Sequence, residues 1–357
     1  MKIALDLAKK GKGTTSPNPM VGAVVVKGNR IVGRGYHKKA GSPHAEVVAI
    51  KDAGGNCRNA TLYITLEPCV HYGRTPPCVP LILKAGIKRV VIAMEDPNPL
   101  VKGKGIAALK EGGIEVEVGI REEEARKLNE FYLKYITTKL PFVIVKWAMS
   151  LDGKIATSKG ESRWISGEES LRFVHLLRSE VDAILVGIRT VLIDNPRLTV
   201  RGLKAKRQPL RIVIDPLLEI PPSARCLTEE GGESMVVTSH LSPSQKREEL
   251  KKKGVEVIIC GEERVDLPSL LKKLGEKEIT SLLVEGGGGI IASFLENKLV
   301  DKIYAIISPL LIGGKEAPTP FEGKGFSSLK DALHLKNFTC RRLGRDYLWE
   351  GYLDYTS

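Results

Sequence analysis

The chain has 357 residues, of which 42% are hydrophobic and 27% are charged, as is typical of a globular protein with two domains. No apolar run approaches the roughly 20 residues that cross a membrane, so no transmembrane span is predicted. The first 139 residues hold 23 Lys and Arg against 13 Asp and Glu, a balance of +10 within the total of +13. This excess favours an anionic ligand, either a nucleic acid or a small phosphorylated molecule, although a solvated basic surface explains it equally well.

Predicted helices and strands alternate through residues 1–139. "MKIALDLAKKGKG" predicts a short amphipathic helix, and its Asp6 and lack of a small-residue cleavage site argue against a secretory signal. "MVGAVVVKGNRIVGRGY" predicts two strands joined by a turn, and "HAEVVAIKDAG" a helix. Further along, strands are predicted in "ATLYITLEP", "KRVVIAMED" and "IEVEVG", and helices in "VPLILKAG" and "GIAALKEGG". Residues 121–138 predict one charged helix, and Pro141 marks the domain boundary.

The second half starts with the segment "FVIVKWAMSLDGKIATSKG" and alternates again. The helix in "GEESLRFVHLLRSE" is expected to have Ser166 as its N-cap. Strands are predicted at 182–190, 210–215, 234–239, 255–260, 281–285 and 302–308. The sequence therefore predicts two α/β domains joined by a short connection.

The cysteines suggest a metal site. Six cysteines in a chain of this length do not form a disulfide framework, and without an export signal a reducing cytoplasm is the expected location. "SPHAEVVAI" places His44 and Glu46 at the start of a helix, and "LEPCVHYGRTPPC" supplies Cys69 and Cys78. One imidazole and two thiolates make three ligands of a catalytic zinc, with the fourth position left for water. Glu46 then takes a proton from water and returns it to a leaving amine.

This H-x-E…P-C order is the signature of zinc deaminases that act on nucleobases. Alone, an H-A-E at a helix start is usually a surface feature, and a lone cysteine pair is usually buried packing. His71 is a rival ligand, but its separation from Cys69 is awkward, so it is interpreted as a loop residue. The signature normally has two residues between the cysteines, whereas this chain has eight. That spacing argues against cytidine, cytosine and transfer-RNA deaminases.

Two alternatives remain open at this point. A nucleic-acid or nucleoside zinc deaminase with an accessory domain would account for the basic first domain. A zinc-stabilised nucleic-acid-binding module would account for the ligands, but it has no need for Glu46 and lacks a convincing fourth protein ligand.

Three further segments carry a resemblance. "SPNPMVGAVVV", "HYGRTPPC" and "EDPNPLVKGKG" are similar to the bifunctional deaminase–reductase of riboflavin biosynthesis. The resemblance implies a zinc cytidine-deaminase-like domain at 1–139 and a dihydrofolate-reductase-like domain at 140–357. It also implies that Asn18 lies near the pyrimidine and that the loop with Asp96 and Asn98 helps to hold the substrate. The lysines of that loop and the backbone amides near Gly103 and Gly105 could meet a phosphate.

The second domain contains a glycine run in "SLLVEGGGGIIASFL", where a strand turns into a helix. Such a turn lets backbone amides approach a pyrophosphate, but it is not a Rossmann fingerprint, and a tight structural turn explains it as well. The segments "KWAMSLDGKIATSKGESRWIS", "GIRTVLIDNPRLTVR" and "SPLLIGG" resemble the reductase domain of the same family.

That resemblance implies contacts residue by residue. Lys146 and Glu285 are the candidates for positioning the sugar and handling its protons, and Arg178 and Arg201 suit phosphate binding. The residues expected to contact NADPH are Ala148, Trp164, Thr190, Asp194, Gly287, Gly288, Gly289, Ile290, Ile291, Ala292 and Ser293. Those expected to contact the substrate are Ser162, Arg178, Leu198, Arg201 and Glu285.

The family resemblance also sets the wider expectations. They are one Zn²⁺ per chain, NADPH as the hydride donor, and small phosphorylated pyrimidines as substrates. The chain is expected to form a homo-oligomer, a dimer or tetramer, in the cytoplasm, with neither nucleic acid nor membrane as a partner. The expected reactions are hydrolytic deamination of 2,5-diamino-6-(5-phosphoribosylamino)pyrimidin-4(3H)-one and reduction of the ribose of 5-amino-6-(5-phosphoribosylamino)uracil.

Overall fold

A computed structural model describes residues 1–355, which fall into two compact units, residues 1–140 and residues 141–355. Within the part of the chain described, no helix is both long and apolar enough to cross a membrane.

The first unit is built on a five-stranded sheet of order β2-β1-β3-β4-β5, in which β3, β4 and β5 run parallel. Its strands are β1 Gly22–Lys27, β2 Arg30–Tyr36, β3 Thr61–Ile64, β4 Arg89–Ile92 and β5 Glu115–Val118. Its helices are α1 Lys2–Ala8, α2 Ala45–Ala53, α3 Cys78–Lys84, α4 Lys104–Glu111, α5 Glu122–Leu128 and α6 Glu130–Thr138.

Two glycines of β2 let α2 lie directly on the sheet. A Cβ on Gly33 would lie 2.2 Å from the Ala49 carbonyl oxygen, and one on Gly35 would lie 2.2 Å from that of Ala45. The alanines on the facing side of α2 are fully buried in a core shared with β1 and β3. This close packing fixes the start of α2, where the candidate zinc ligand His44 lies.

The second unit contains a nine-stranded sheet of order β10-β9-β8-β7-β11-β6-β12-β14-β13, which is parallel except at its β14 and β13 edge. Its strands are β6 Phe142–Ser150, β7 Ala183–Gly187, β8 Leu210–Ile214, β9 Ser234–Thr238, β10 Glu256–Ile259, β11 Ser281–Val284, β12 Lys302–Ser308, β13 His334–Leu343 and β14 Asp346–Asp354. Its helices are α7 Glu168–Glu180, α8 Ile188–Asp194, α9 Arg225–Thr228, α10 Ser244–Lys252, α11 Leu267–Glu276 and α12 Gly288–Glu296.

Three local predictions differ from the structure. The strand predicted at 182–190 ends at Gly187 and turns into α8, a boundary that a continuous apolar run cannot mark. Ser166 is not the N-cap of α7; Gly167 is, and its N–H donates to the Asp346 carboxylate at 2.7 Å. The helix predicted over 121–138 is two helices, because Asn129 leaves helical geometry and bonds the Met20 backbone at 2.7 and 3.0 Å.

Candidate active sites

The candidate zinc ligands lie together in the first unit. His44 is the N-cap of α2, Cys78 is the first residue of α3, and Cys69 follows β3. His44 Nδ1 is 3.2 Å from the Cys78 sulfur and 3.6 Å from the Cys69 sulfur, and the donor atoms of all three residues lie within 4.8 Å of one another. Tetrahedral zinc at the usual bond lengths separates nitrogen and sulfur ligands by roughly 3.5 Å, so the donor set fits the metal in kind and spacing.

The eight residues between the cysteines form a loop that returns to its starting point. The N–H groups of Cys78 and Val79 both donate to the Cys69 carbonyl, at 3.1 and 3.3 Å. The backbone therefore holds the two cysteines side by side despite their separation in sequence. His71, the rival ligand, is not part of the cluster.

The two cysteine side chains shift each other's pKa in opposite directions. The Cys78 thiol is hydrogen-bonded to Cys69, which lowers the pKa of Cys69 to about 4 and raises the pKa of Cys78. Bound zinc takes both as thiolates.

Glu46 is a buried carboxyl beside this cluster. Its side chain is 4% exposed and hydrogen-bonded to Cys78. Burial raises its pKa, although the neighbouring His44 opposes the shift. A raised pKa makes the carboxylate a stronger base, which favours its taking a proton from water.

Asn18 reaches the same region through His37. The Asn18 amide nitrogen lies 3.1 Å from His37 Nε2, and the ring of His37 meets that of His44 edge to face at 5.4 Å. His37 Nδ1 is 3.2 Å from the Pro43 carbonyl oxygen and donates to it in the tautomer that leaves Nε2 as the acceptor for Asn18. Asn18 Oδ1 is then the atom of this amide left to meet a ligand.

Asp96 and Asn98 lie in the loop after β4 and organise its turn. Asp96 is buried and accepts the Asn98 N–H at 2.9 Å and the Tyr132 hydroxyl at 2.9 and 3.1 Å. Asn98 in turn accepts the Leu100 N–H at 3.1 Å. Burial raises the pKa of Asp96 to about 6, against the lowering effect of the Asn98 N–H and the Tyr132 hydroxyl.

Glu67, a buried residue that the sequence did not single out, anchors this loop. Its carboxylate accepts four backbone N–H groups at 2.9 to 3.2 Å, from Asp96, Gly103, Gly105 and Ile106. The expectation that the amides of Gly103 and Gly105 meet a phosphate is therefore wrong, because Glu67 occupies both. The signal was its place in "LEPC", directly after a buried strand.

In the second unit, an acidic and two basic side chains meet between β6, β11 and α7. The Glu285 carboxylate accepts two hydrogen bonds from Arg178, at 2.8 and 2.7 Å, and lies 3.8 Å from Lys146 Nζ. Burial raises the pKa of Glu285, but the two cations outweigh it and bring the pKa to about 2. Burial lowers the pKa of Lys146. Arg178 also donates to the Thr199 carbonyl at 3.1 Å, so three of its five N–H groups are used within the protein.

A cavity of about 370 Å³ opens beside Glu285. Ser162 adjoins it through a 3.3 Å bond to Asp194. The sequence did not single out Arg163, Arg197 and Arg225, which also line it. The expected site residues that line it are Trp164, Arg178, Thr190, Asp194, Leu198, Arg201 and Glu285.

The glycine run lies at the start of α12, where Gly287 is the N-cap. A Cβ on Gly287 would meet only Thr190 Oγ1, at 3.8 Å, and one on Gly289 would meet nothing within 4 Å. Gly288 differs, because a Cβ there would lie 2.3 Å from the Thr319 carbonyl oxygen. The open backbone at Gly287 and Gly289 suits the approach of a pyrophosphate, whereas Gly288 is required by packing.

The remaining residues expected to contact NADPH are less uniformly placed. Ile291 and Ala292 are buried, Ile290 packs against Gly187, and Ser293 donates to the Gly289 carbonyl at 2.9 Å. Ala148 lies on β6 and packs against a small core cluster of Val174, Ile306 and Leu348.

Comparison with known proteins covers both units. The model of the cytidine and deoxycytidylate deaminase zinc-binding region matches residues 1–94, and that of the RibD C-terminal domain matches residues 141–349. The riboflavin biosynthesis protein RibD of Aquifex aeolicus is 49% identical over 97% of this chain and 95% of its own length. The RibD protein of Escherichia coli is 40% identical over 97% of this chain and 96% of its own length.

Solved structures of RibD proteins superpose on nearly the whole chain. RibD from Acinetobacter baumannii superposes with a TM-score of 0.89 at 38% identity, over 99% of this chain and 97% of its own. The diaminohydroxyphosphoribosylaminopyrimidine deaminase/5-amino-6-(5-phosphoribosylamino)uracil reductase from Thermotoga maritima superposes with a TM-score of 0.85 at 39% sequence identity, with the same coverage of both chains.

These matches confirm the predicted fold class, a cytidine-deaminase-like unit followed by a dihydrofolate-reductase-like unit, with Zn²⁺ and NADPH as cofactors. They do not support the nucleic-acid deaminase alternative. The chain belongs to the RibD family, the bifunctional deaminase–reductases of riboflavin biosynthesis.

Proposed function

We propose that the first unit hydrolyses the 2-amino group of 2,5-diamino-6-(5-phosphoribosylamino)pyrimidin-4(3H)-one at a zinc held by His44, Cys69 and Cys78. The observation that carries this proposal is the cluster of those three donors with the buried carboxyl of Glu46 beside it. Zinc in such a site supplies Lewis-acid activation of water.

Glu46 moves the proton in this reaction. Its carboxylate takes one proton from the attacking water and gives it to the adjacent ring nitrogen. It then moves the proton of the new hydroxyl group to the amino nitrogen, so that the water oxygen becomes the carbonyl oxygen and ammonia leaves. The raised pKa of Glu46 supports this double role. Asn18, oriented by His37, offers Oδ1 to an N–H of the pyrimidine, and Asp96 and Asn98 shape the loop beside it.

The second unit is assigned the reduction of 5-amino-6-(5-phosphoribosylamino)uracil to its ribityl form. NADPH, when bound, would supply the hydride that carbon 1 of the ribose needs as its bond to the ring oxygen breaks. The ring oxygen takes a proton and becomes a hydroxyl group. Lys146 is the better proton donor of the two candidates, because burial lowers its pKa whereas Glu285 is held ionised by its cations. Glu285 and Arg178 act in positioning.

Arginines around the cavity support a phosphorylated substrate. Arg201 lines the cavity and donates to Thr199 Oγ1 at 3.2 Å, with further N–H groups left over for a phosphate. The contacts proposed for NADPH are those of Trp164, Thr190, Asp194 and the open backbone at the start of α12.

We also propose a reducing cytoplasmic location and self-association. All six cysteines are free thiols, which fits a reducing compartment. Self-association rests on the family resemblance alone.

Two assays on each variant test the proposal. Ammonia release from the diaminopyrimidine and NADPH oxidation with the pre-formed aminouracil are measured side by side. Glu46→Gln should lose only ammonia release, and Lys146→Ala should lose only NADPH oxidation, because the two sets of residues lie in separate units. Loss of both activities in either variant, with both units folded, would contradict the two-site proposal. Single-stranded RNA serves as a competing substrate and should release no ammonia.

A further inference from the structure

We infer that Thr75 is a positioning residue that holds His44 in the orientation and tautomer required for zinc. The inference rests on the proposed function of His44, Cys69 and Cys78 as ligands. Thr75 lies in the loop between the two cysteines, and its hydroxyl oxygen is 3.0 Å from His44 Nε2.

The two nitrogens of His44 face different partners. Nδ1 faces the sulfurs, at 3.2 and 3.6 Å, so it is the nitrogen that meets the metal. A neutral imidazole carries one proton, and a ligating Nδ1 must be free of it. The proton therefore lies on Nε2, and the Thr75 hydroxyl is the acceptor placed to receive it.

The loop between the cysteines delivers Thr75 to this place. Its base is closed by the Cys78 and Val79 N–H groups on the Cys69 carbonyl, and the Gly73 N–H donates to the Thr75 carbonyl at 3.2 Å. Two prolines then fix the backbone between Thr75 and Cys78. The shorter P-C-x-x-C segment has only two residues between its cysteines. The eight-residue segment between Cys69 and Cys78 therefore not only joins two ligands but also supplies Thr75 as a hydrogen-bond partner for the third ligand, His44.

The other ring beside His44 does not serve this purpose. His37 meets it edge to face, but the nitrogens of His37 are bonded to Asn18 and to the Pro43 carbonyl. Outer partners of a ligating histidine fix its ring and raise its basicity, and their loss typically weakens metal binding 10- to 100-fold. Thr75 is therefore expected to set zinc affinity without touching the metal.

The test compares zinc affinity in the full-length protein, measured by competition with a chelating indicator at one pH. Thr75→Val and Thr75→Ala should bind zinc about 10- to 100-fold more weakly. Thr75→Ser keeps the hydroxyl and should bind as the unaltered protein does. Thr137→Val is the matched control, because its hydroxyl bonds only the Leu133 and Lys134 carbonyls on the exposed side of α6.

Cobalt substitution gives a second readout, since a turned imidazole changes the absorption of the thiolate-bound ion. Circular dichroism of each metal-free variant shows whether it is folded, and Thr75→Ala replaces Thr75→Val if the latter is not. Affinity equal to that of the unaltered protein in the folded variants would overturn the inference, as would an equal loss in Thr75→Ser. Zinc retained by Cys78→Ser would instead show that the proposed ligand set is wrong.

Discussion

The clearest structural prediction concerns Glu67, whose carboxylate accepts four backbone N–H groups in two buried and two part-buried hydrogen bonds. In Glu67→Gln one oxygen can still accept two of them, but the amide NH₂ turns two donors against the remaining two. Each buried N–H left without an acceptor costs about 1–3 kcal/mol, so opening of the 96–106 loop should become easier by about 2–6 kcal/mol. Amide hydrogen exchange in that segment should be at least about 30-fold faster.

Exchange measured by mass spectrometry on the zinc-loaded protein checks this value, together with the KM for ammonia release. We expect KM to rise more than kcat falls, because Asp96 and Asn98 lie in the loop and the zinc ligands do not. Glu117→Gln is the control: its ion pair with Arg89 is exposed, and the change should stay within about 0.5 kcal/mol. Unchanged exchange over 96–106 in Glu67→Gln would refute the reasoning.

Four further outcomes are expected. Glu46→Gln should keep zinc and lose deamination on the order of 10²-fold or more, and loss of the metal would make Glu46 a ligand. Cys78→Ser should lose zinc and deamination together, so one zinc per chain in that variant would contradict the ligand set. Gly287→Val should raise the KM for NADPH without affecting ammonia release. Gly288→Ala should instead lower the melting temperature of the second unit, because its Cβ meets the Thr319 carbonyl. If both variants changed the KM and the melting temperature to the same extent, this distinction between the two glycines would be wrong. The pKa of Glu285 falls from 4.5 to about 2 on folding, so its contribution to stability is present above pH 4.5 and is lost as the pH falls toward 2. In unfolding measurements, Glu285→Gln should lack this loss of stability in acid. The same pH dependence of stability in Glu285→Gln and in the unaltered protein would contradict the ion-pair account.

Local patterns in the sequence predicted the fold class and the zinc cluster because short segments carry them. His44 and Glu46 mark the start of one helix, and the two cysteines follow prolines beside a strand. The order of these motifs was enough to identify a deaminase. Every element of the first sheet was likewise predicted from periodicity, since its strands are short and bounded by turns.

What the sequence could not give is the partner of a polar side chain. Glu67 bonds amides 29 to 39 residues away, and Arg178 meets Glu285 across 107 residues. Ser166 was expected to be the N-cap of α7, but Gly167 is, and its N–H donates to Asp346 from the far end of the chain. Neither β13 nor β14 was among the predicted strands. Nearly all residues of β13 are exposed, so burial does not select apolar residues on one of its faces, whereas residues of β14 alternate between buried and exposed positions.

Three glutamates with little exposed side chain, Glu46, Glu285 and Glu67, differ in the charges and hydrogen-bond donors around them. Glu46 is buried beside thiols and an imidazole, and its raised pKa suits a group that gains and loses a proton in each turnover. The side chain of Glu285 is only 6% exposed and lies against Arg178 and Lys146, which hold its pKa at about 2, as suits the positioning role proposed for it. Glu67 accepts four backbone N–H groups, which suits it to holding a loop. Burial alone does not distinguish these roles; the nearest charge or donor does.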